Sequence, residues 1–98
     1  DLGEYFMKRL NELADKHKII GEVRGLGLMI GVELVKDEKK TPAAAEALKI
    51  REKMRERGFL IGAGGAYGCT LRIEPPLMIT KDQVDRAVDA LDEVLKEN

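Results

Sequence analysis

One arginine in this chain has the chemistry and the setting to bind an anion. Arg72 lies in the segment LRIEPPL (residues 71–77), where it stands between the apolar residues Leu71 and Ile73. Two prolines follow and end this strand-like stretch. Side chains of a strand alternate between its faces, so Leu71 and Ile73 point to one side and Arg72 to the other. A planar, permanently charged guanidinium on a fixed strand suits a ligand carboxylate. An ordinary ion pair with Glu74 or Glu33 would also suit this position, and residue chemistry alone favours that interpretation.

Two glycine-rich segments are candidates for phosphate binding, and neither fits. Residues 62–68 hold four glycines in seven positions, but a strand follows them instead of the helix that a phosphate loop requires. Residues 25–27 lie between two predicted strands and lack the third glycine of a dinucleotide fingerprint. We interpret the first segment as a loop beside a binding face and the second as a bend between strands.

The composition excludes several classes of function. Lys and Arg total 17 against 18 Asp and Glu, so the nearly neutral charge gives no reason to expect binding to nucleic acid or to an anionic membrane. The aromatic residues are two Phe and two Tyr with no Trp, which is too few for a surface on which bases stack. Cys69 and His17 are the only residues of their types, so they cannot form a disulfide or a Cys/His metal site within the chain. No apolar run reaches the length of a membrane span, and we expect a soluble, cytoplasmic protein. No catalytic nucleophile, base or metal site is apparent.

Periodicity predicts one domain over residues 1–98, of the α+β class, with the order α-β-β-α-β-β-α. It should be a two-layer sandwich in which helices cover one face of a mainly antiparallel, four-stranded sheet. Thr41 is expected to be the N-cap of the second helix, with Pro42 at its first position and Gly58 at its C-terminal end. Thr80 and Gln83 form a predicted capping box that begins the last helix. The predicted helices are about 2–17, a second between its caps at Thr41 and Gly58, and a third whose capping box begins at Thr80. The predicted strands are about 20–26, 28–35, 59–61 and 70–74.

The sheet face opposite the helices carries the chemistry-bearing residues of this arrangement. Alternation places Glu33, Arg72 and Glu74 there, together with Arg24. This face mixes charged residues with glycines and apolar residues. The mixture predicts a binding surface that another domain or subunit completes.

Several segments together resemble class III aminotransferases, which are pyridoxal-phosphate enzymes of the 4-aminobutyrate, acetylornithine and alanine–glyoxylate types. The resemblance covers nearly the whole chain, and the glycine run GGAYG is similar to the alanine–glyoxylate branch, whereas Cys69 departs from the asparagine often found at its position. The segments that carry the resemblance are 20–34, 57–58, 64–68, 71–77 and the helix start at Thr80.

The resemblance implies that this chain is the C-terminal small domain of such an enzyme. Arg72 would then bind the carboxylate of the substrate, and Arg24, Gly25, Gly64 and Gly65 would line the active site. The motifs that carry the Schiff-base lysine and the other cofactor-binding residues belong to the family's large domain. The resemblance therefore implies pyridoxal phosphate in the full-length parent and no cofactor bound by this chain alone. Its expected partners are the large domain and a second subunit.

Two other functions remain open at this point. The chain is alternatively an excised or engineered scaffold without activity, for which its dense surface charge would be suitable. It is also alternatively a small module that binds amino or keto acids through Arg72. In either case the exposed sheet face predicts weak self-association.

Overall fold

A computed structural model describes residues 2–26, 29–36, 39, 41–59, 61–64, 69–73 and 80–97 of the 98-residue chain. Within these residues the prediction of an α+β fold with three helices and an antiparallel sheet is confirmed. The elements in chain order are α1 (Leu2–Lys16), β1 (Ile20–Leu26), β2 (Met29–Leu34), α2 (Ala44–Glu56), β3 (Gly62–Gly64), β4 (Thr70–Ile73) and α3 (Lys81–Lys96).

The described strands form one sheet in the order β1-β2-β4-β3, and every neighbouring pair is antiparallel. β2 and β4 therefore occupy the centre of the sheet, while β1 and β3 form its edges. The register shifts between Ile20 and Glu22 of β1, where one additional residue is accommodated as a bulge. The central position of β4 fixes the backbone beneath Arg72 from both sides.

All three helices pack on the same face of the sheet. Leu71 of β4 is fully buried there, next to Val32 of β2, its partner across the strand pair. The apolar stripes of the helices complete this core, as their spacing predicts. The core includes Phe6, Leu10 and Leu13 of α1, Ala47, Ile50 and Met54 of α2, and Val84, Val88, Leu91, Val94 and Leu95 of α3.

The helix ends agree with the sequence signals where those signals are local. Thr80 accepts a hydrogen bond from the backbone N–H of Gln83, and the Gln83 side chain accepts one from the backbone N–H of Thr80, so the predicted capping box is confirmed. Gly58 has a φ of +90° just after the C-terminal end of α2, which is the conformation that glycine supplies at such an end. Ile79, the predicted staple partner of Val84, lies outside the described residues.

The predicted start of α2 is wrong by two residues. The helix begins at Ala44 with Ala43 as its N-cap, and no side chain caps it. Pro42 instead forms an isolated antiparallel bridge with Val35, and the backbone N–H of Lys36 donates to the carbonyl of Thr41. These contacts with the end of β2 hold residues 41–42 extended, and so they override the local helix signal.

The predicted position of the third strand is also wrong. Sequence analysis assigned residues 59–61 to a strand and 62–68 to a loop, whereas β3 consists of Gly62–Gly64. β3 pairs with β4 through backbone hydrogen bonds, which depend on the neighbouring strand more than on strand propensity. Glycines therefore occupy the edge next to Arg72. Residues 65–68 lie outside the described part of the chain.

Candidate functional site

The sheet face that points away from the core carries the charged residues of the strands. Strand register places on it the residues that we call the open face: Glu22, Arg24, Gly31, Glu33, Gly62, Gly64, Thr70 and Arg72. Four of them form a single row across the sheet, in the order Arg24, Gly31, Arg72 and Gly62. Each arginine of this row thus has a neighbouring strand position without a side chain, which leaves the guanidinium groups room to lie along the sheet.

Arg24 is engaged by two carboxylates of the same face. Its Nη2 donates to Oε2 of Glu33 over 3.0 Å, and its Nη1 lies 3.6 Å from Oε2 of Glu22. The register of the β1–β2 pair places Glu22 directly opposite Glu33, so both carboxylates lie close to Arg24. The pairing satisfies most of the charge of Arg24, so this arginine contributes little free positive charge to the face.

Arg72 differs from Arg24 in its contacts. Its side chain is exposed, and among the residues that the structure describes it makes no ion pair. Glu33, one of the two partners considered for it, interacts with Arg24 instead. The other, Glu74, lies outside the described residues, together with the prolines that follow it. Leu71 is buried and Ile73 half-buried on the opposite side of the strand, as alternation predicts.

The glycines named as candidate lining residues occupy different places. Gly25 pairs with Ile30, a core residue, so a side chain at position 25 would point toward the helix side of the sheet rather than the open face. Gly64 ends β3 opposite Thr70, next to the row that holds Arg72. Gly65 lies outside the described residues.

A second charged region, between α1 and α3, was missed by sequence reasoning. Its members, which we call the α1–α3 seam, are Tyr5, Arg9, Lys16, His17, Asp85, Asp89 and Asp92. Asp85 accepts hydrogen bonds from both Tyr5 and Arg9, and Arg9 also donates to Asp89. The local sequence showed cations at the end of α1, but their partners are more than 70 positions away, and no pattern in a single sequence links them.

Asp92 is the most perturbed carboxyl group of the seam. A hydrogen bond with His17, whose Nε2 lies 2.6 Å from Oδ1 of Asp92, is the largest cause that lowers the pKa of Asp92 to about 2. Lys16, 3.0 Å from Oδ2, and Lys96 lower it further. The sole histidine is thus a structural hydrogen-bond partner of Asp92 in the seam.

The sequence and the fold agree with one family of known proteins. Residues 1–95 match the family model described as aminotransferase class-III. The chain belongs to the class III aminotransferases. This assignment confirms the resemblance carried by the segments around Gly25 and Arg72.

Individual class III relatives share high identity with the chain over nearly its whole length. It is 55% identical over 92 residues to alanine–glyoxylate aminotransferase 2 homolog 2, mitochondrial, of Arabidopsis thaliana, a match that covers 93% of this chain and 19% of that protein. It is 44% identical over 95 residues to the leucine/methionine racemase of Thermococcus litoralis, covering 96% of this chain and 21% of the racemase. The chain therefore spans about a fifth of the length of these relatives.

Solved structures of similar proteins have the same fold. A phospholyase from Arthrobacter in complex with phosphoethanolamine superposes with a TM-score of 0.92 at 35% identity, covering 99% of this chain and 23% of that one. An amine transaminase from an uncultivated Pseudomonas species, in its PLP-bound internal aldimine form, gives a TM-score of 0.81 at 31% identity, covering 97% and 22%. Class III aminotransferases depend on pyridoxal phosphate in their full-length form.

The four described strands lack one group that binding of this cofactor requires. A Schiff base requires a lysine amine, and the four strands contain no lysine, so no strand brings an amine to the open face. No group of three His, Cys, Asp or Glu side chains in the described ranges could hold a metal ion, and Cys69 is buried. None of the described helices combines the length and the apolar character needed to cross a membrane. What remains on the open face is a cation suited to a carboxylate.

Proposed function

We propose that this chain is the C-terminal small domain of a class III aminotransferase and that Arg72 binds the carboxylate of the amino-acid or keto-acid substrate. One observation carries the proposal: Arg72 is exposed on the open face and has no ion partner among the described residues, while Arg24 in the same row is paired. An exposed guanidinium on a central strand, with no ion partner in the part of the chain that the structure describes, is available to an incoming anion.

The chemistry of the guanidinium supports this role. Its planar fork donates two parallel hydrogen bonds to one carboxylate, which fixes the orientation of the bound molecule as well as its position. The buried Leu71 and the flanking strands hold the backbone of Arg72, so the fork has a rigid base. A substrate gripped by its carboxylate presents its amino-bearing carbon in one orientation, and such orientation accounts for a large part of enzymatic rate enhancement.

The remaining parts of the active site come from outside this chain in the proposal. Pyridoxal phosphate supplies the electron sink for amino-group transfer when bound to the parent enzyme. The open face, with Arg24 as a lining residue, would pack against the large domain and a second subunit. We expect no turnover when pyridoxal phosphate and L-alanine are added to the 98-residue chain alone.

The test uses the full-length protein that carries this segment, with two amino donors that differ in the carboxylate. For L-alanine, Arg72→Ala should lower kcat/KM by about 30-fold or more, because truncating one partner of a desolvated charge pair costs about 2 to 5 kcal/mol. For isopropylamine, which has no carboxylate, kcat/KM should change little. Arg72→Lys keeps the charge but loses the fork, so its loss with L-alanine should be intermediate. Equal losses with both donors would assign Arg72 a structural role and refute the proposal.

A second experiment separates this function from an inert scaffold. The 98-residue chain is titrated with sodium acetate while the Nε–Hε signal of Arg72 is followed by ¹H–¹⁵N NMR. A saturable shift that is absent for Arg24 indicates that Arg72 binds carboxylates without the rest of the enzyme. If the shifts of Arg72 and Arg24 are equal and do not saturate, the anion effect is nonspecific and the chain is a scaffold.

A further inference from the structure

Gly62 is the residue that lies beneath the Arg72 side chain. The two residues are direct partners across the β3–β4 pair. A Cβ atom built on Gly62 would lie 3.3 Å from both Nε and Nη2 of Arg72 and 3.6 Å from its Cβ. Paired residues in antiparallel sheets usually hold their Cβ atoms about 4.5 to 5.5 Å apart. The strands therefore approach unusually closely here, and the guanidinium lies over the bare backbone of β3.

The backbone conformation does not account for glycine at this position. Among the described glycines only Gly58 has a positive φ, so Gly62 adopts a conformation that any residue can reach. Glycine in a strand weakens the sheet by exposing backbone and leaving no side chain to pack. What it provides at position 62 is space, and the side chain that occupies this space is Arg72.

We propose that Gly62 is the positioning residue of the carboxylate site: the missing side chain at position 62 lets Arg72 lie flat along β3 with its fork directed across the open face. A side chain at position 62 would lift the guanidinium away from the sheet and misdirect its paired donors. The effect of Gly62 on carboxylate binding rests on the proposed function of Arg72. The effect of Gly62 on the position of the Arg72 side chain does not, because that position can be measured without any ligand.

The first test examines the ligand-free 98-residue chain by ¹H–¹⁵N NMR. The Nε–Hε signal of Arg72 should move in Gly62→Ala and move further in Gly62→Val, because the valine methyl groups fill more of the space. Gly25→Ala is the matched control, since it adds the same methyl group to the same sheet at a position where no atom of the described residues lies within 4 Å. If Gly62→Ala and Gly25→Ala leave the Arg72 signal equally unmoved, Gly62 does not position the arginine.

The second test measures how the two residues depend on each other for stability. Urea unfolding gives the free energy of unfolding of Gly62→Ala, Arg72→Ala and the double variant. If the added methyl acts through the Arg72 side chain, its effect should differ clearly between the wild-type chain and the Arg72→Ala background, as contacting residues usually show. Strict additivity of the two changes would overturn the inference, even if Gly62→Val fails to fold.

The third test links position to binding. Acetate affinity of Gly62→Ala, followed through the Arg72 signal, should fall about 10-fold when one of the two hydrogen bonds of the fork is lost. If wild-type Arg72 shows no saturable response, the proposed function fails in this chain while the ligand-free spectra still decide the role of Gly62. A wild-type response that is unchanged in Gly62→Ala would overturn the positioning role alone.

Discussion

The α1–α3 seam and the open face are both charged, but they use charge in opposite ways. In the seam Asp85, Asp89 and Asp92 each meet a cation or a donor from α1, and two of these contacts are partly buried. On the open face Arg24 is paired, whereas Arg72, one strand position beyond Gly31, has no described partner. Paired charges hold elements together, and a charge left unpaired on a rigid strand is available to a ligand.

The contrast also shows how one fold can separate stability from binding. The seam joins α1 and its end to α3, whereas the open face belongs to the side of the sheet that points away from the hydrophobic core. Residues in contact couple energetically, but sites that neither touch nor share partners usually contribute additively to stability. The four experiments below test the contrast, from the largest expected effect to the smallest.

Among the charged residues compared, Asp85→Ala should cause the largest loss of stability. It removes the shared acceptor of Tyr5 and Arg9, both of which are partly buried, so we expect a loss of about 2 kcal/mol in the free energy of unfolding by urea. The midpoint of thermal unfolding should fall by roughly 10 °C for a domain of this size. Asp82→Ala is the control, because the ion pair that the structure describes for Asp82 is with the exposed Arg86 on its own helix. Equal losses in the two variants would show that the seam is no stronger than surface pairing.

Acid should weaken the seam through Asp92. Its pKa is lowered from 3.8 to about 2 in the folded chain, so the stabilisation is complete above about pH 4 and is lost as the pH falls toward 2. With allowance for screening by solvent, the loss should amount to about 1 to 2 kcal/mol. Urea unfolding between pH 5 and pH 2 measures it, and Asp92→Asn should remove this part of the pH dependence. A variant that retains the full wild-type pH dependence would contradict the assignment to Asp92.

Glu33→Gln should have a smaller effect on stability. It weakens the ion pair with Arg24, which is partly exposed, and pairs of this kind contribute less than about 1 kcal/mol. Raising the salt concentration should narrow the difference between the variant and wild type, because ions screen exposed charges. If Glu33→Gln lost as much stability as Asp85→Ala, the Arg24–Glu33 pair would contribute as much to the free energy of unfolding as the seam does, and the contrast would fail.

Arg72→Ala should change the free energy of unfolding least, by less than about 0.5 kcal/mol, because surface positions without partners contribute little to stability. The same variant should lose the NMR response to acetate. Leu71→Ala, one residue away on the buried side, should instead cost about 2 to 5 kcal/mol. Strong destabilisation by Arg72→Ala would mean that the arginine serves the fold, and the contrast between the two regions would then fail.

Local sequence signals predicted the parts of this fold that local interactions determine. The Thr80–Gln83 capping box and the direction of Arg72 depend only on neighbouring residues, and both appear as expected. The start of α2 could not be predicted from Pro42 and its immediate neighbours. Pro42 forms a bridge with Val35, and that contact depends on the tertiary packing of residues 41–42 against the end of β2.

The misplaced third strand and the missed seam have the same physical origin. Glycine favours loops by propensity, yet Gly62 lies in a strand because β4 offers it backbone partners. His17 and Asp92 each look like solvent-exposed helix residues until tertiary packing brings them within 2.6 Å of each other. The exposed state of Arg72 was predicted, but its lack of a pair with Glu33 depended on the competing Arg24.

The sequence separation of these ion pairs has a consequence for the order of folding. Arg24 and Glu33 are 9 positions apart in the β1–β2 hairpin, whereas Tyr5 and Asp85 are 80 positions apart. Closing the longer loop costs about 2 kcal/mol more in chain entropy, so the hairpin pair can form early and the seam only after both ends of the chain meet. Changes in the seam should therefore speed unfolding and leave the refolding rate almost unaltered, which makes the seam the part of the molecule that sets how long the folded state persists.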